Sequence, residues 1–115
     1  MSSTPVLRLV EGFLGLVSAR HKLITANMAN VDTPGYRTQD IDFRSELQRV
    51  LAPASFEMTP VSHAVPGLLT RPDGNDVNLD RESLLLAETQ MQYQLGVQVV
   101  RSEFHRLLSA INEGK

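Results

Sequence analysis

The sequence has no cysteine and no tryptophan, and it has neither a run of like charge nor a long apolar stretch. Without cysteine there is no disulfide framework, no thiolate zinc site and no cysteine nucleophile. Aromatics are scarce, four Phe and two Tyr in 115 residues, so a core drawn from the 42% hydrophobic residues is aliphatic. Eleven Lys and Arg against thirteen Asp and Glu give a net charge of −2, and a chain without a basic face is a poor match for a phosphate backbone. The opening Met-Ser-Ser-Thr-Pro lacks the basic and then apolar segments of a secretory signal. No stretch approaches the ~20 apolar residues of a membrane span. The expectations are no nucleic-acid partner, no direct membrane span, and no cleaved signal peptide if the chain is exported. The length suits one domain at most.

Two apolar helical patterns stand at the ends of the chain. Near the N-terminus, Leu7, Val10, Leu14, Val17, His21, Ile24, Met28 and Val31 recur at alternating spacings of three and four, a heptad seam interrupted only by His21. A second row of Leu9, Phe13, Leu16 and Leu23 widens the face, so the helix can touch more than one neighbour. Pro5 suits a first helical turn and Thr4 an N-cap, predicting a helix from about Pro5 to Asn30 on the order of 39 Å long. Near the C-terminus, Leu79, Ser83, Leu86, Gln90, Tyr93, Val97, Val100, Phe104, Leu107 and Ile111 repeat the alternation. With Asp80 as N-cap, Glu82 favourable to the dipole and Gly114 as the stop, the prediction is a helix from about Arg81 to Asn112.

Between them, Pro53, Pro60, Pro66 and Pro72 with Gly67 and Gly74 forbid a long helix or a central strand. Asp40-Ile41-Asp42-Phe43 alternates as a short extended piece would, and Ser45 with Gln48 forms a capping-box pattern ahead of Leu47, Val50 and Leu51. The chain divides into an N-terminal helix (1–31), a turn, extended piece and short helix (32–52), a Pro/Gly-rich loop (53–78) and a C-terminal helix (79–115). The fold class is mainly α: long terminal helices packing as a coiled-coil-like bundle, with an irregular or small β middle segment that need not be ordered in a monomer.

Catalytic and metal signals are weak. Asp40 and Asp42 would share a strand face, but two carboxylates need a pocket that separates their pKa values before they form an acid/base pair. His21, His63 and His105 have no partner at helical ligand spacing. The run Asp73-Gly74-Asn75-Asp76-Val77-Asn78-Leu79-Asp80 resembles a calcium loop superficially. Starting at Asp76, however, it puts Arg81 where the turn glycine belongs and Ala87 where the bidentate Glu belongs. It reads as a turn at Asp73-Gly74 followed by a helix start. There is no phosphate-binding glycine motif. No catalytic residue, metal ligand or cofactor is assigned.

The informative local feature is Ala26-Asn27-Met28-Ala29-Asn30-Val31-Asp32-Thr33-Pro34-Gly35-Tyr36-Arg37. Asn30 tolerates a helix end, Thr33 is held extended by the proline, and Pro34-Gly35 supplies a type II turn. Asp32 can accept from nearby amides, and Tyr36 leaves the turn with an apolar ring and a hydroxyl. Two asparagines on the last helical turn and an aromatic at the exit exceed what a connector needs. Contact with another chain is therefore expected at Asn27, Asn30, Asp32, Thr33, Pro34, Gly35 and Tyr36.

This stretch resembles the N-terminal signature of bacterial flagellar axial proteins of the rod and hook class. Asp40 to Phe43, Asp73 to Glu82 and the ending Ala110 to Lys115 extend the likeness toward the proximal rod members. Residues 53 to 70 are unmatched, and Met28 and Arg37 stand where Ile and Lys are more usual. The resemblance implies a non-enzymatic structural subunit of the flagellar basal-body rod, located in the periplasm and passed out by the flagellar type III export apparatus. It implies as partners other rod proteins, MS-ring and rod-junction proteins, and copies of itself. The contact seams would be Leu7, Val10, Leu14, Val17, His21, Ile24 and Met28 on one helix. On the other they would be Leu86, Tyr93, Val97, Val100, Phe104, Leu107 and Ile111. A second reading of the same amphipathic helices and acidic pI is a soluble helical adaptor or export chaperone.

Overall fold

The computed structural model describes residues 5–52 and 59–114. Helix α1 spans Pro5–Ala29, strand β1 Gln39–Ile41, helix α2 Phe43–Leu51, strand β2 Ser62–Ala64 and helix α3 Leu79–Glu113. The protein is mainly helical, with the two long helices at the ends and a small two-stranded sheet in the middle. β1 and β2 are antiparallel, Gln39 facing Ala64, Asp40 facing His63 and Ile41 facing Ser62. The radius of gyration is 18.1 Å, against about 13 Å for a compact chain of similar length. The excess comes from laying two long rods side by side.

Those rods are antiparallel. Asn27 of α1 meets Glu82, Arg20 meets Glu88, and Leu14 meets Gly96 of α3. Extending that register sets Pro5 near His105, so the last turns of α3, with Leu108 and Ile111, run past the described part of α1. The apolar core is small: Val10, Leu16, Val17 and Ile24 from α1, joined by Ile41 and Val77. α2 docks on α1 where Gly12 receives Val50. Beside it Phe13 and Phe43 meet edge to face at 5.9 Å, with the Arg20 guanidinium 5.9 Å above the Phe43 ring.

On α1 the seam expected from the heptads points inward at Val10, Val17 and Ile24. Leu7, Leu14 and Met28 are half-buried and His21 is exposed. α3 differs. Its buried line runs through Glu82, Thr89, Gly96 and Glu103, and these small and polar residues give no hydrophobic signal. The apolar seam lies roughly 50–60° farther round the helix. There Leu86, Val97, Val100 and Leu107 are half-buried, while Tyr93, Phe104 and Ile111 are exposed. A close approach explains the choice of Gly96, since a Cβ built there would sit 2.5 Å from Leu14 Cδ2.

Two helix starts differ from the sequence expectation. α2 is capped by Asp42, whose carboxylate accepts from the Ser45 amide at 3.3 Å and the Ser45 hydroxyl at 2.9 Å. A carboxylate accepts both bonds at once, so the cap falls three residues before Ser45. α3 starts at Leu79, with Asn78 Oδ1 accepting from the Arg81 amide at 3.1 Å. That leaves Asp80, with Glu82, inside the first turn, where the dipole favours negative charge. The Thr4 cap lies outside the described residues.

The close Leu14–Gly96 contact predicts that Gly96→Val destabilises the chain by about 1–3 kcal/mol through overpacking, part of which Leu14→Ala restores. Gly15 has nothing within 4 Å of a built Cβ, so Gly15→Ala stabilises by up to about 1 kcal/mol. Chemical denaturation of the three variants and the double variant measures both effects.

Candidate functional site

At the end of the helix pair where α1 stops and α3 begins, the signature turn folds back onto residues 71–82 and forms a polar clasp. The turn itself follows from its residues. Pro34 presets φ, Gly35 takes φ 76°, and the Tyr36 amide donates to Thr33 O at 3.2 Å, as a type II turn requires. The Gly35 amide reaches across to Asp73 O at 2.8 Å. Gly74, at φ 88°, lies so close that a Cβ there would stand 3.3 Å from Gly35 Cα. The two turns stack because both lack side chains at the contact.

Asn27 is 1% exposed, and its amide is saturated with hydrogen bonds. Nδ2 donates to Gln39 O at 2.9 Å and Glu82 Oε1 at 3.0 Å. Oδ1 accepts from the Tyr36 hydroxyl at 3.0 Å and the Gln39 amide at 3.1 Å. One side chain thus joins α1, the turn, β1 and α3. Glu82, fully buried, takes Arg81 Nη1 on its other oxygen at 2.7 Å.

Asn75 is the counterpart on the loop side. Its Nδ2 donates to Asn30 O and Thr33 O, both at 2.8 Å, and its Oδ1 accepts from Arg71 Nη2 at 2.7 Å and the Val77 amide at 2.8 Å. Arg71 also donates to Val77 O at 2.8 Å and to Val31 O. Asp76 accepts from the Thr38 amide at 2.6 Å and from Arg37 at 3.2 Å. Asn30 turns its own amide back on Ala26 O at 2.8 Å and accepts from the Thr33 hydroxyl at 3.0 Å. Among the described residues, the one buried polar side-chain atom without a partner is Gln92 Oε1, away on α3.

Asp40 carries the charge of the clasp. Arg20 grips it in a fork, Nε and Nη2 each 3.1 Å from one carboxylate oxygen, Arg81 Nη2 adds a bond at 3.0 Å, and the Ile41 amide another at 2.8 Å. Burial alone would raise the Asp40 carboxyl, but the hydrogen bonds from Arg20, Ile41 and Arg81 and the Arg20 charge outweigh it and hold it below the ordinary carboxylate range. Asp76 behaves alike: burial opposes, the Thr38 and Arg37 bonds prevail, and its pKa is lowered. The Tyr36 hydroxyl is pushed up by burial and by the nearby Glu82 and Asp76 carboxylates.

Of the residues expected to meet another chain, Asn27 is consumed inside its own chain and Tyr36 is half-buried against it. Asn30 turns its side-chain bonds inward, while Asp32, Thr33, Pro34 and Gly35 remain exposed. Asp40 and Asp42 do not form a pair, since one is buried in the clasp and the other caps α2. The sequence alone assigns none of Arg20, Thr38, Arg71, Asn75, Asp76, Arg81 or Glu82 to a site. The 73–80 run and the 26–37 run each stand out as polar stretches, but only the fold brings them face to face. Among the described residues, no group of three or more His, Asp or Glu stands close enough to hold a metal ion, and no helix is long and apolar enough to cross a membrane.

Two long helices fixed side by side by a fully bonded polar clasp define a structural part, with its outer helix faces left bare. No family model matches the chain. It is similar to the flagellar basal body rod protein FlgB of Salmonella typhimurium strain LT2, at 34% identity over 94% of both chains. It is 31% identical to the protein of that name from Escherichia coli K12, again over 94% of both. To that of Cereibacter sphaeroides it is 32% identical, over 85% of this chain and 87% of the relative. The chain belongs to the FlgB family of flagellar basal body rod proteins.

The clasp yields two expectations. Asn75→Ala removes one bond each from the Asn30 and Thr33 carbonyls and the Arg71 guanidinium, which keep other partners, and leaves the buried Val77 amide unpaired, at a cost of about 1–3 kcal/mol, read as a fall in the denaturation midpoint. Because Asp40 and Asp76 have lowered pKa values in the folded state, their stabilisation is complete above the ordinary carboxylate range and is lost progressively as pH falls below it and through the lowered folded values. The unfolding free energy is therefore flat near neutrality and drops below about pH 5. Asp40→Asn makes that acid limb shallower in denaturation measured across pH.

Proposed function

We propose that this chain is a self-assembling structural subunit of the proximal rod, the part of the flagellar drive shaft that transmits torque for motility. The observation that carries the reading is the state of α3. Beyond the face that α1 covers, it exposes one apolar flank with Tyr93, Phe104, Leu108 and Ile111 and a second, on the far side, with Leu84, Met91 and Leu95. Contiguous bare apolar surface of this kind marks an interaction site, and each large side chain covered contributes about 1.5–3 kcal/mol. A helix with two open apolar sides beside its own partner helix suits the interior of a multi-subunit tube, where several neighbours surround it.

In this reading the segments 1–31 and 79–115 are the axial parts, 32–52 is the turn, extended piece and short helix, and 53–78 is the Pro/Gly-rich connection. The exposed α3 seam residues Tyr93, Phe104 and Ile111 and the exposed turn Asp32 to Gly35 are the partner contacts, the α1 seam residues Val10, Val17 and Ile24 being spent in the chain's own core, and the clasp keeps the helix pair in register while those contacts form. The partners are copies of the chain, other rod proteins, MS-ring and rod-junction proteins, and the type III export apparatus, which delivers the chain to the periplasm without a cleaved signal peptide. The role is non-enzymatic and uses no cofactor. Support comes from the relatives' shared name and from the exposed faces.

Phe104 is 62% exposed, so Phe104→Asp leaves the stability of the isolated chain within about 0.5 kcal/mol while abolishing incorporation into basal bodies and swimming. Val97→Asp, half-buried, acts in the same direction with some loss of stability. Normal motility in both variants would overturn the seam mechanism. A soluble adaptor would instead be recovered as a stable complex with export components and be absent from purified basal bodies.

A further inference from the structure

We propose that Asp73 is a modification site guarded by the clasp: its side chain closes on the Gly74 amide to give a succinimide, and from it an isoaspartate, only while the clasp is open. The inference stands apart from the self-assembly reading above. Asp73-Gly74 is the one Asp-Gly or Asn-Gly pair in the sequence. Glycine has no Cβ to shield its amide nitrogen, so an aspartate before glycine has the least steric protection against ring closure. Asp73 is exposed and Gly74 half-buried, and water reaches the pair. Hydrogen bonds are what protect it.

Ring closure joins Gly74 N to Asp73 Cγ. The carboxyl must turn about Cα–Cβ, and the peptide unit between the two residues must turn about the Cα–C bond of Asp73. Both rotations are pinned. On the peptide unit, Asp73 O accepts from the Gly35 amide at 2.8 Å and the Gly74 amide donates to Arg71 O at 2.9 Å. On the side chain, Asp73 Oδ1 accepts from the Asn75 amide at 3.0 Å. Arg71 is itself fixed, its amide donating to Asn75 O at 2.8 Å and its guanidinium to Asn75 Oδ1 at 2.7 Å. The reactive geometry is therefore reached only through local opening of the clasp.

In the open state the Gly74 nitrogen gives up its proton and bonds to Cγ of the protonated carboxyl, whose hydroxyl leaves with that proton as water. Water then adds back at either imide carbonyl. Addition at the former side-chain carbon restores aspartate. Addition at the former main-chain carbon breaks its bond to Gly74 N, returns a proton to that nitrogen and leaves isoaspartate. Mass and charge are unchanged, but the chain now runs through Cβ and Cγ and is longer by one atom. The carbonyl that received the Gly35 amide has become a carboxylate off the main chain. Gly74 then cannot return to a stack in which even a Cβ would stand 3.3 Å from Gly35 Cα. The step is one-way for the fold: a chain isomerised at Asp73 cannot reclose its clasp.

The test holds the full chain at neutral pH, folded in buffer or unfolded in guanidinium, and then digests it. Isoaspartate at position 73 is read by methyl transfer from a protein isoaspartyl methyltransferase and by fragment ions that separate the two isomers. Isomerisation is expected to be slower by about tenfold or more in the folded chain. Asn75→Ala, with helix content retained, is expected to bring the folded rate most of the way to the unfolded one. Asp73→Asn keeps the side-chain acceptor and loses ammonia in place of water, and its change of mass reports the same guard. If Asn75→Ala does not fold, wild-type chain in denaturant below the helix-melting transition replaces it, and isomerisation rises in step with exchange of the Gly35 and Gly74 amides. Equal rates in folded and unfolded chain, or no rise when the clasp is opened, overturn the guard. A purified chain isomerised at Asp73 that refolds with the wild-type midpoint overturns the one-way step.

Discussion

The fold depends on the hydrogen bonds of the Asn27 amide. α1 could end at the Asn-rich stretch and α3 could begin at Asn78 without the two helices holding any particular register, because the residues between them contribute little apolar burial. Asn27 removes that freedom by bonding the strand, the turn and the α3 carboxylate at once. A buried amide carries a desolvation cost that only a full set of partners offsets. Any slip of α3 along α1 strands at least one of those bonds, and so register is enforced by the penalty for breaking the set rather than by the strength of any one bond.

Polar groups hold the register because the apolar core between the helices is small. A helix pair can place its large apolar side chains between the two axes. Here the α1–α3 contact instead uses Gly96 and Thr89, which let the helix backbones approach closely, and the larger α3 side chains remain on the outer flanks. Close approach recovers dispersion contact with few atoms. Gly12 performs the same service for Val50 on α2. Specificity within the chain is thus carried by small and polar residues, and the larger apolar side chains of α3 stay on its outer flanks.

That division explains which parts of the architecture are legible in the sequence. The two long helices are, because a sustained three-four alternation has no other regular reading. The type II turn is, because Pro34-Gly35 permits little else. The face of α3 that meets α1 is not, since Thr89, Gly96 and Glu103 carry no hydrophobic signal and the visible stripe beside them belongs to the exterior. The clasp is half legible. The asparagines of the signature stand out as more than a connector needs, and the Asp-Gly-Asn-Asp run stands out as more than a helix start needs, yet nothing in either run names the other. Asn75 pairs with Asn30 and Thr33 across more than 40 positions, and pattern spacing along one chain cannot express such a partner. The helix caps escape for a smaller reason: several Asp, Asn and Ser residues crowd each start, and backbone geometry picks among them.

Stability is consequently distributed unevenly along the long axis. At one end, clasp bonds, two stacked turns, the small sheet and the arginine fork on Asp40 are concentrated within a few residues of the α1 terminus. At the other, α3 runs on past the described part of α1 with Leu108 and Ile111 exposed, and there few contacts among the described residues support it. Local opening follows contact density, so the clasped end is the fixed reference and the far end of α3 is the part that opens first. The clasped end thus fixes the geometry of the helix pair, and the free end carries exposed apolar area that the chain itself leaves uncovered among the described residues.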